Sequence, residues 1–522
     1  MSRAFDAIVI GGGHNGLVAA AGLARAGRAV CVLERRDEIG GMAAEGAFSD
    51  GTPKPRMAHL LYNLSPAVLA DLDHDRKALF ETRALPTVCL DPEGGHVVVA
   101  EGRPHFADGA PHPEAGPYHA LVSRLARFGA ILARLAEAPP PQLAQGMTDL
   151  QGLRRLGTLG ALGWDFRRIG RDEAREFLRI VLSNAHDVIL DEIADGPLAG
   201  ALAADAVRGA WAGPRSPGTV FSLMYRYARG GGAALPMGGM GAFCAGLAAR
   251  ARVLGAEIRT GAEAAAVLVE GDRVRGVRLA DGSEIAAGCV LVAAGPMTAM
   301  RLAGPAQFDI EAVRRLRALR AKGTVAKVNL RLRDLPEMPG LTAGQMAGRL
   351  VLAPSVARVE RAFDPVKYGE MSEDPVIEAV IPSLTDPSAA PKGGHVLSAI
   401  VQYVPHAPRG GWTQAGRDRL LATTLAALDR VAPGLSDRVA EAEVLTPADI
   451  EALTGAPGGH WHHAEMSLDQ LLAVRPVNGL ARYRFGPAGY YLCGAGAHPG
   501  GDVMGSAGRN AAAVALADGV AA

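Results

Sequence analysis

Two apolar runs open the chain, Ala7-Ile8-Val9-Ile10 and Ala29 to Leu33, and both are continuous rather than alternating. Short continuous runs of this kind read as strands covered on both faces, as in parallel sheets. Between them, Gly11-Gly12-Gly13-His14-Asn15-Gly16 leads into Leu17 to Ala26, which has helical composition. The pattern predicts strand, tight turn, helix and strand. Cys289 to Ala294 predicts another buried strand, ending in the turn Gly295-Pro296. Gly489 to Cys493 predicts a last one, running through Gly494-Ala495-Gly496 toward a small-residue helix from Ser506 to Leu516. Between these ends, Ser65-Pro66 caps a helix, and residues 118 to 210 read as mostly helical with a break at Pro139-Pro140-Pro141. Gly238-Gly239-Met240-Gly241 opens a helix over Ala242 to Leu254, and turns at Gly271-Asp272 and Asp281-Gly282 mark a meander. Residues 301 to 454 mix strands and helices, and no internal repeat is visible.

The first turn carries chemistry. G-x-G-x-x-G between two strands and before a helix, with Glu34 closing the second strand, is the dinucleotide fingerprint in its full context. Gly11 permits the tight turn, Gly13 lets backbone approach a pyrophosphate, and Gly16 lets helix pack on strand. The helix start supplies amides to phosphate, with His14 and Asn15 beside them, and Glu34 is placed to accept from a ribose diol. Arg35-Arg36 invites a 2′-phosphate, but a carboxylate at Glu34 repels it. A second glycine pair, Gly40-Gly41 before Met42, suggests another close approach and favours FAD held permanently. Near the other end, Asp502-Val503-Met504-Gly505 precedes the last helix, whose bare amides suit the charge that gathers on a reduced flavin. The same glycines also serve a tightly packed closing helix. Gly295 and Gly494, in turns at strand ends, join the expected cofactor residues.

Composition narrows the class. At 522 residues with 49% hydrophobic, the chain suits two interleaved domains. Lys+Arg and Asp+Glu balance at 54 each, so nothing points to nucleic acid. The five cysteines lie far apart with no C-x-x-C, which excludes a local redox dithiol, and only one dinucleotide fingerprint exists, so a pyridine-nucleotide disulfide reductase fails on two counts. Residues 1 to 6 leave no room for a signal peptide and no stretch is long enough to span a bilayer, so the expected address is cytoplasmic, with peripheral membrane contact open.

Several segments together resemble the phytoene desaturase-like flavoproteins. They are Gly12-Gly13-His14-Asn15-Gly16-Leu17, Glu34 to Asp37 with Gly40-Gly41, Pro236 to Ala242, and Ser467 to Gln470 with Arg475-Pro476. Leu492 to Gly501 and Gly508 to Ala512 complete the likeness, which is closest to the branch named pyridine nucleotide-disulfide oxidoreductase domain-containing protein 2. Glu263-Ala264-Ala265-Ala266 and the stretch Asp50 to Arg56 depart from that pattern. The resemblance implies an α/β fold: a Rossmann-type FAD-binding domain, glutathione reductase-like or amine oxidase-like, interleaved with an α+β substrate domain. It places the FAD domain at 1–70, 232–300 and 455–522 and the substrate domain at 71–231 and 301–454. It implies two-electron C–H oxidation at flavin N5 of an apolar or isoprenoid-like small molecule, with oxygen or a quinone as acceptor. Amine oxidation on the same fold and a weakly active flavoprotein acting as a binding or regulatory protein are the alternatives.

Candidate catalytic residues follow from that placement. Lys327, in Val325-Ala326-Lys327-Val328-Asn329-Leu330, resembles the strand-borne lysine of flavin amine oxidases that holds a water near N5; the competing reading is a solvent-facing lysine beside Asn329 and Arg331. His460-Trp461-His462-His463-Ala464-Glu465 is the densest titratable cluster. Two-electron flavin chemistry needs no metal, so His463 and Glu465 read as a proton relay or as groups that only contact the cofactor. His498 shares that ambiguity, and Tyr62 and Asn63 are expected at the pocket wall.

Overall fold

The structure is a computed structural model that describes residues 5–72, 79–140, 167, 170–390 and 393–519. Two sheets organise it. The first places Phe5–Ile10 at its centre, parallel to Val30–Leu33 on one side and to Glu284–Val292 on the other. Glu257–Arg259 and Tyr490–Leu492 extend it at the two flanks, both parallel. Ala7, Ile8, Val9, Val30, Cys31, Val32 and Val290 to Val292 are at most 1% exposed, which is why their sequence is unbroken by polar residues. The strand Glu284–Val292 is long enough to serve twice. Its last residues pair with the first strand, and its opening residues pair antiparallel with Arg273–Leu279, which in turn pairs with Ala264–Glu270.

The second sheet has eight strands in the order Val439–Leu445, Val325–Leu332, His395–Gln402, Val376–Val380, Arg349–Leu352, Thr87–Leu90, Val97–Ala100 and Arg103–Phe106. All neighbours are antiparallel except Arg349–Leu352 with Thr87–Leu90. Helices Ala115–Ala136, Ala185–Leu190, Pro197–Ala206 and Thr219–Arg226 pack together, joined to the sheet by Cys89 and Val351. In the longest of these, Leu121, Leu125, Phe128 and Leu132 recur at helical spacing and are buried. The expected helical stretch over 118 to 210 therefore holds through Ala136 and again from Arg171; the residues between 141 and 166 lie outside the described part. Among the described residues no helix is long and apolar enough to cross a membrane.

Element starts shift where glycine backbone joins the helix. The first helix runs His14–Arg25, because the Gly13 carbonyl already accepts from Leu17 N at 2.9 Å. The helix expected from Ala242 runs Gly239–Val253. The last runs Ser506–Ala517, and Pro66–Leu72 is capped by Ser65 Oγ, which accepts from Val68 N at 3.2 Å.

Candidate cofactor cleft and the polar cluster beside it

A cleft opens where the first strand meets its turn, lined by Gly11, Gly13, His14, Asn15, Glu34, Arg35, Gly40, Gly41 and Met42. The two glycine segments are locked to each other: Gly40 N donates to Gly12 O at 2.8 Å, and Gly13 and Gly40 form a parallel bridge. Gly40 has φ +112°, and a Cβ there would stand 2.9 Å from Ala44 Cα. Glu34, 6% exposed, is held by the turn itself, its carboxylate accepting from Gly12 N at 2.8 Å and Arg36 N at 3.1 Å. A carboxylate has roughly four acceptor sites, so lone pairs remain for a diol. Arg35 donates to Leu453 O at 2.8 Å, and the end of the helix Pro447–Thr454, with its cap Gly455, lines the cleft there. Glu263, Thr298 and Arg301 complete the wall; no motif marked Thr298 or Arg301.

The residues fit FAD. Gly13 faces the cleft with nothing closer to an added Cβ than Gly40 O at 3.9 Å, so a hydrogen there leaves room for a ligand. Three groups lining the cleft each leave a buried atom without a partner: His14 Nε2, Asn15 Oδ1 and His463 Nδ1. Buried polar atoms are rarely left so, and these suit a ligand carrying both donors and acceptors.

Other expected cofactor residues stand behind the cleft wall. A Cβ on Gly16 would fall 2.0 Å from Gly11 O, and one on Gly494 2.3 Å from Ala293 O, so both are glycine for chain-to-chain approach. Gly295 caps the helix Pro296–Ala303, with Pro457 Cδ 2.8 Å from an added Cβ. Val503 belongs to the core of the parallel sheet. Met504 accepts from Arg229 Nη1 at 3.3 Å and Tyr225 OH at 3.6 Å. Asp502, at φ +63°, accepts from Asn63 Nδ2 at 3.0 Å and is hydrogen-bonded through its backbone to His14, which ties the first helix to the last turn.

The titratable cluster divides. His463 lines the cleft, and burial pushes it down to about 4, so its ring is neutral. Glu465 does not reach the cleft; its carboxylate accepts from Arg320 Nε at 3.1 Å, and its backbone carbonyl from Arg475. His498 does not reach it either, since its Nε2 bonds Leu135 O at 2.9 Å. Arg475 is wholly buried and meets only carbonyls, among them His462 O at 2.7 Å, Ala495 O at 2.8 Å and Glu465 O at 3.0 Å.

Lys327 is 0% exposed, so the solvent-facing reading is overturned. Its strand face points inward: Val325, two residues earlier on that face, belongs to a buried cluster against which Met42 and Trp461 of the cleft pack, while Lys327 itself is not among the residues lining the cleft. Lys327 Nζ lies 3.1 Å from His59 Nδ1, and His59 Nε2 lies 3.1 Å from Glu378 Oε1. Glu378 also accepts from Arg208 Nη2 at 2.9 Å and Arg349 Nε at 2.7 Å. Burial alone raises the Glu378 carboxyl, yet the two guanidiniums hold it well below the usual range. Burial lowers Lys327 to about 7 and His59 to about 3. Because the ionised Glu378 accepts from Nε2–H, Nδ1 of the neutral ring is the acceptor and Lys327 donates to it. Tyr62 sits under Arg226 and Arg208, at 4.0 and 4.6 Å from its ring centre. His59, Glu378, Arg208 and Arg349 come from four segments with no motif, and only their shared burial could single them out.

Residues 9–76 match the model of an NAD(P)-binding Rossmann-like domain. The mouse pyridine nucleotide-disulfide oxidoreductase domain-containing protein 2 is 33% identical, over 98% of this chain and 94% of its own. A lycopene-forming phytoene desaturase of a Paracoccus species is 26% identical over 98% and 97%. Among solved structures, cyclohexylamine oxidase from Brevibacterium oxydans superposes with TM-score 0.56 at 15% identity over 99% of each chain, which speaks for a shared fold.

Proposed function

We propose, for a chain that belongs to the family of pyridine nucleotide-disulfide oxidoreductase domain-containing protein 2, a dehydrogenation in which two electrons leave a substrate C–H bond. The protein is an FAD-dependent oxidoreductase, and bound FAD is the two-electron acceptor. Gly11, Gly13, Gly40 and Gly41 present backbone to the cofactor, and the start of the helix His14–Arg25 turns its amides to the phosphates. Glu34 holds the turn in shape and offers its remaining lone pairs to the ribose. The neutral His463 offers Nδ1 without adding charge.

Proton handling falls to Lys327. An amine near neutral pKa can take up a proton at working pH, and His59 with Glu378 fixes its position. The observation that carries this reading is the complete burial of Lys327 on the strand face shared with Val325, a member of the buried cluster against which the cleft residues Met42 and Trp461 pack. The substrate is read as a small molecule with an apolar body, and oxygen or a quinone takes the electrons onward. The absorption spectrum before and after acid denaturation tests for flavin. Anaerobic bleaching by a carotenoid supports the dehydrogenase, whereas bleaching by an amine alone replaces it with amine oxidation.

A further inference from the structure

A second cavity adjoins the cofactor cleft across the Trp461 ring, over which Arg208 lies at 4.7 Å. Asp205, Arg208, Arg226, His460 and Asp502 are among its walls. Its carboxylates are satisfied. Asp205 accepts from Arg349 at 2.5 and 3.1 Å, and Asp502 from Asn63 at 3.0 Å. Its donors are not. Arg208 Nε and both Nε and Nη2 of Arg226 have no hydrogen-bond partner, although Arg226 is only 5% exposed; Asp205 Oδ1 is 3.6 Å from that Nε, an ion pair without a hydrogen bond. His460 Nε2 is likewise unpartnered. Its Nδ1 accepts from His462 N at 3.2 Å, and burial keeps the ring neutral, so Nε2 carries the proton. Every unpaired atom of these three side chains is therefore a donor, and the wall asks for an acceptor.

We propose that this cavity receives a carboxylate at one end of the substrate, held by Arg208 and Arg226 with His460 as a third donor. The proposal rests on the dehydrogenase reading and gives its substrate a chemical class, an acid with an apolar body. The cavity measures about 40 Å³, room for about three or four waters at 10–15 Å³ each, which is the scale of a carboxylate. On the far side of Asp205 a wider cleft of about 590 Å³, with Val99, Tyr118, Leu198 and Leu202 in its wall, suits the apolar body. An ammonium head has no acceptor to offer these four donor nitrogens, so an amine fits poorly. A pure hydrocarbon leaves those nitrogens without a hydrogen bond.

Calorimetric titration of the FAD-loaded protein with decanoate, 1-decanol and decylamine tests this. Decanoate is expected to bind about tenfold more tightly than the alcohol, the scale of one charge-assisted hydrogen bond. Arg226→Met should erase that preference with FAD content unchanged, and Arg226→Lys should restore part of it. Equal binding of decanoate and decanol, tighter binding of decylamine, or a preference that survives Arg226→Met overturns the proposal. The wild-type ranking decides the matter even where a variant fails to fold. FAD content is measured first, so a colourless preparation refutes the cofactor reading, while the titration still reads the head-group preference.

Discussion

Gly13 and Gly16 belong to one motif but are glycine for opposite reasons. An added Cβ on Gly16 meets the Gly11 carbonyl at 2.0 Å, whereas on Gly13 it meets nothing nearer than 3.9 Å. Gly13 has φ −72°, which any residue adopts. Gly13→Val should therefore fold with an unchanged far-ultraviolet circular dichroism spectrum and yet purify without FAD; a yellow variant would refute the role given to this position. Lys327 yields a prediction on pH. Its amine titrates near 7 when folded against an ordinary 10.5, so between those values the unfolded chain holds a proton that the folded chain lacks. Stability then rises with pH across that window and is lowest below it. Lys327→Met should flatten the rise in thermal midpoint between about pH 7 and 9.5, in the window bounded by the two pKa values. Equal slopes in wild type and variant would show that Lys327 stays charged.

At the scale of elements, the contact between the first and last helices holds the two glycine turns together. The last helix crosses the first at Gly508, where a Cβ would fall 2.0 Å from Asn15 O. Asn15 and His14 line the cleft, so the crossing also sets the cofactor wall. Gly508→Ala should destabilise by about 3 kcal/mol and lower FAD affinity, because neither backbone can retreat in a packed core. Gly116, exposed in the helix Ala115–Ala136 with nothing within 4 Å, is the contrast. Gly116→Ala should stabilise by less than about 0.5 kcal/mol, because Pro117 crowds a Cβ on the helical residue before it and offsets most of the propensity gain. Denaturant titration of both variants measures the pair, and a destabilising Gly116→Ala would count against this account of the helix surface.

Across the whole molecule, five buried histidines are held neutral. Burial lowers His14, His463 and His498 to about 4, and His59 and His460 to about 3. Each is protonated near 6.5 in the unfolded chain but resists protonation when folded, so stability falls as pH drops through the window between those values. One pKa unit corresponds to about 1.4 kcal/mol, so each contributes about 3 kcal/mol of loss by pH 4. The thermal midpoint should drop steeply from pH 7 to 5, and a flat profile would mean these rings take up protons freely.

The cofactor half was legible along the chain because its determinants are local. A continuous apolar run, a glycine turn and a capped helix lie within a few residues of each other, so Gly11, Gly13, Glu34, Gly40 and Gly41 could be placed from spacing alone. What Lys327 faces, and whether Glu465 or His498 reaches the cleft, was settled by packing. Alternation in a strand tells one face from the other but not whether both will be covered, and here the polar face is buried as well as the apolar one. The cluster of His59, Arg208, Arg349 and Glu378 was decided by tertiary structure alone. Its members come from two strands, a turn and a loop far apart in sequence, and charge becomes informative there only once folding has removed the water.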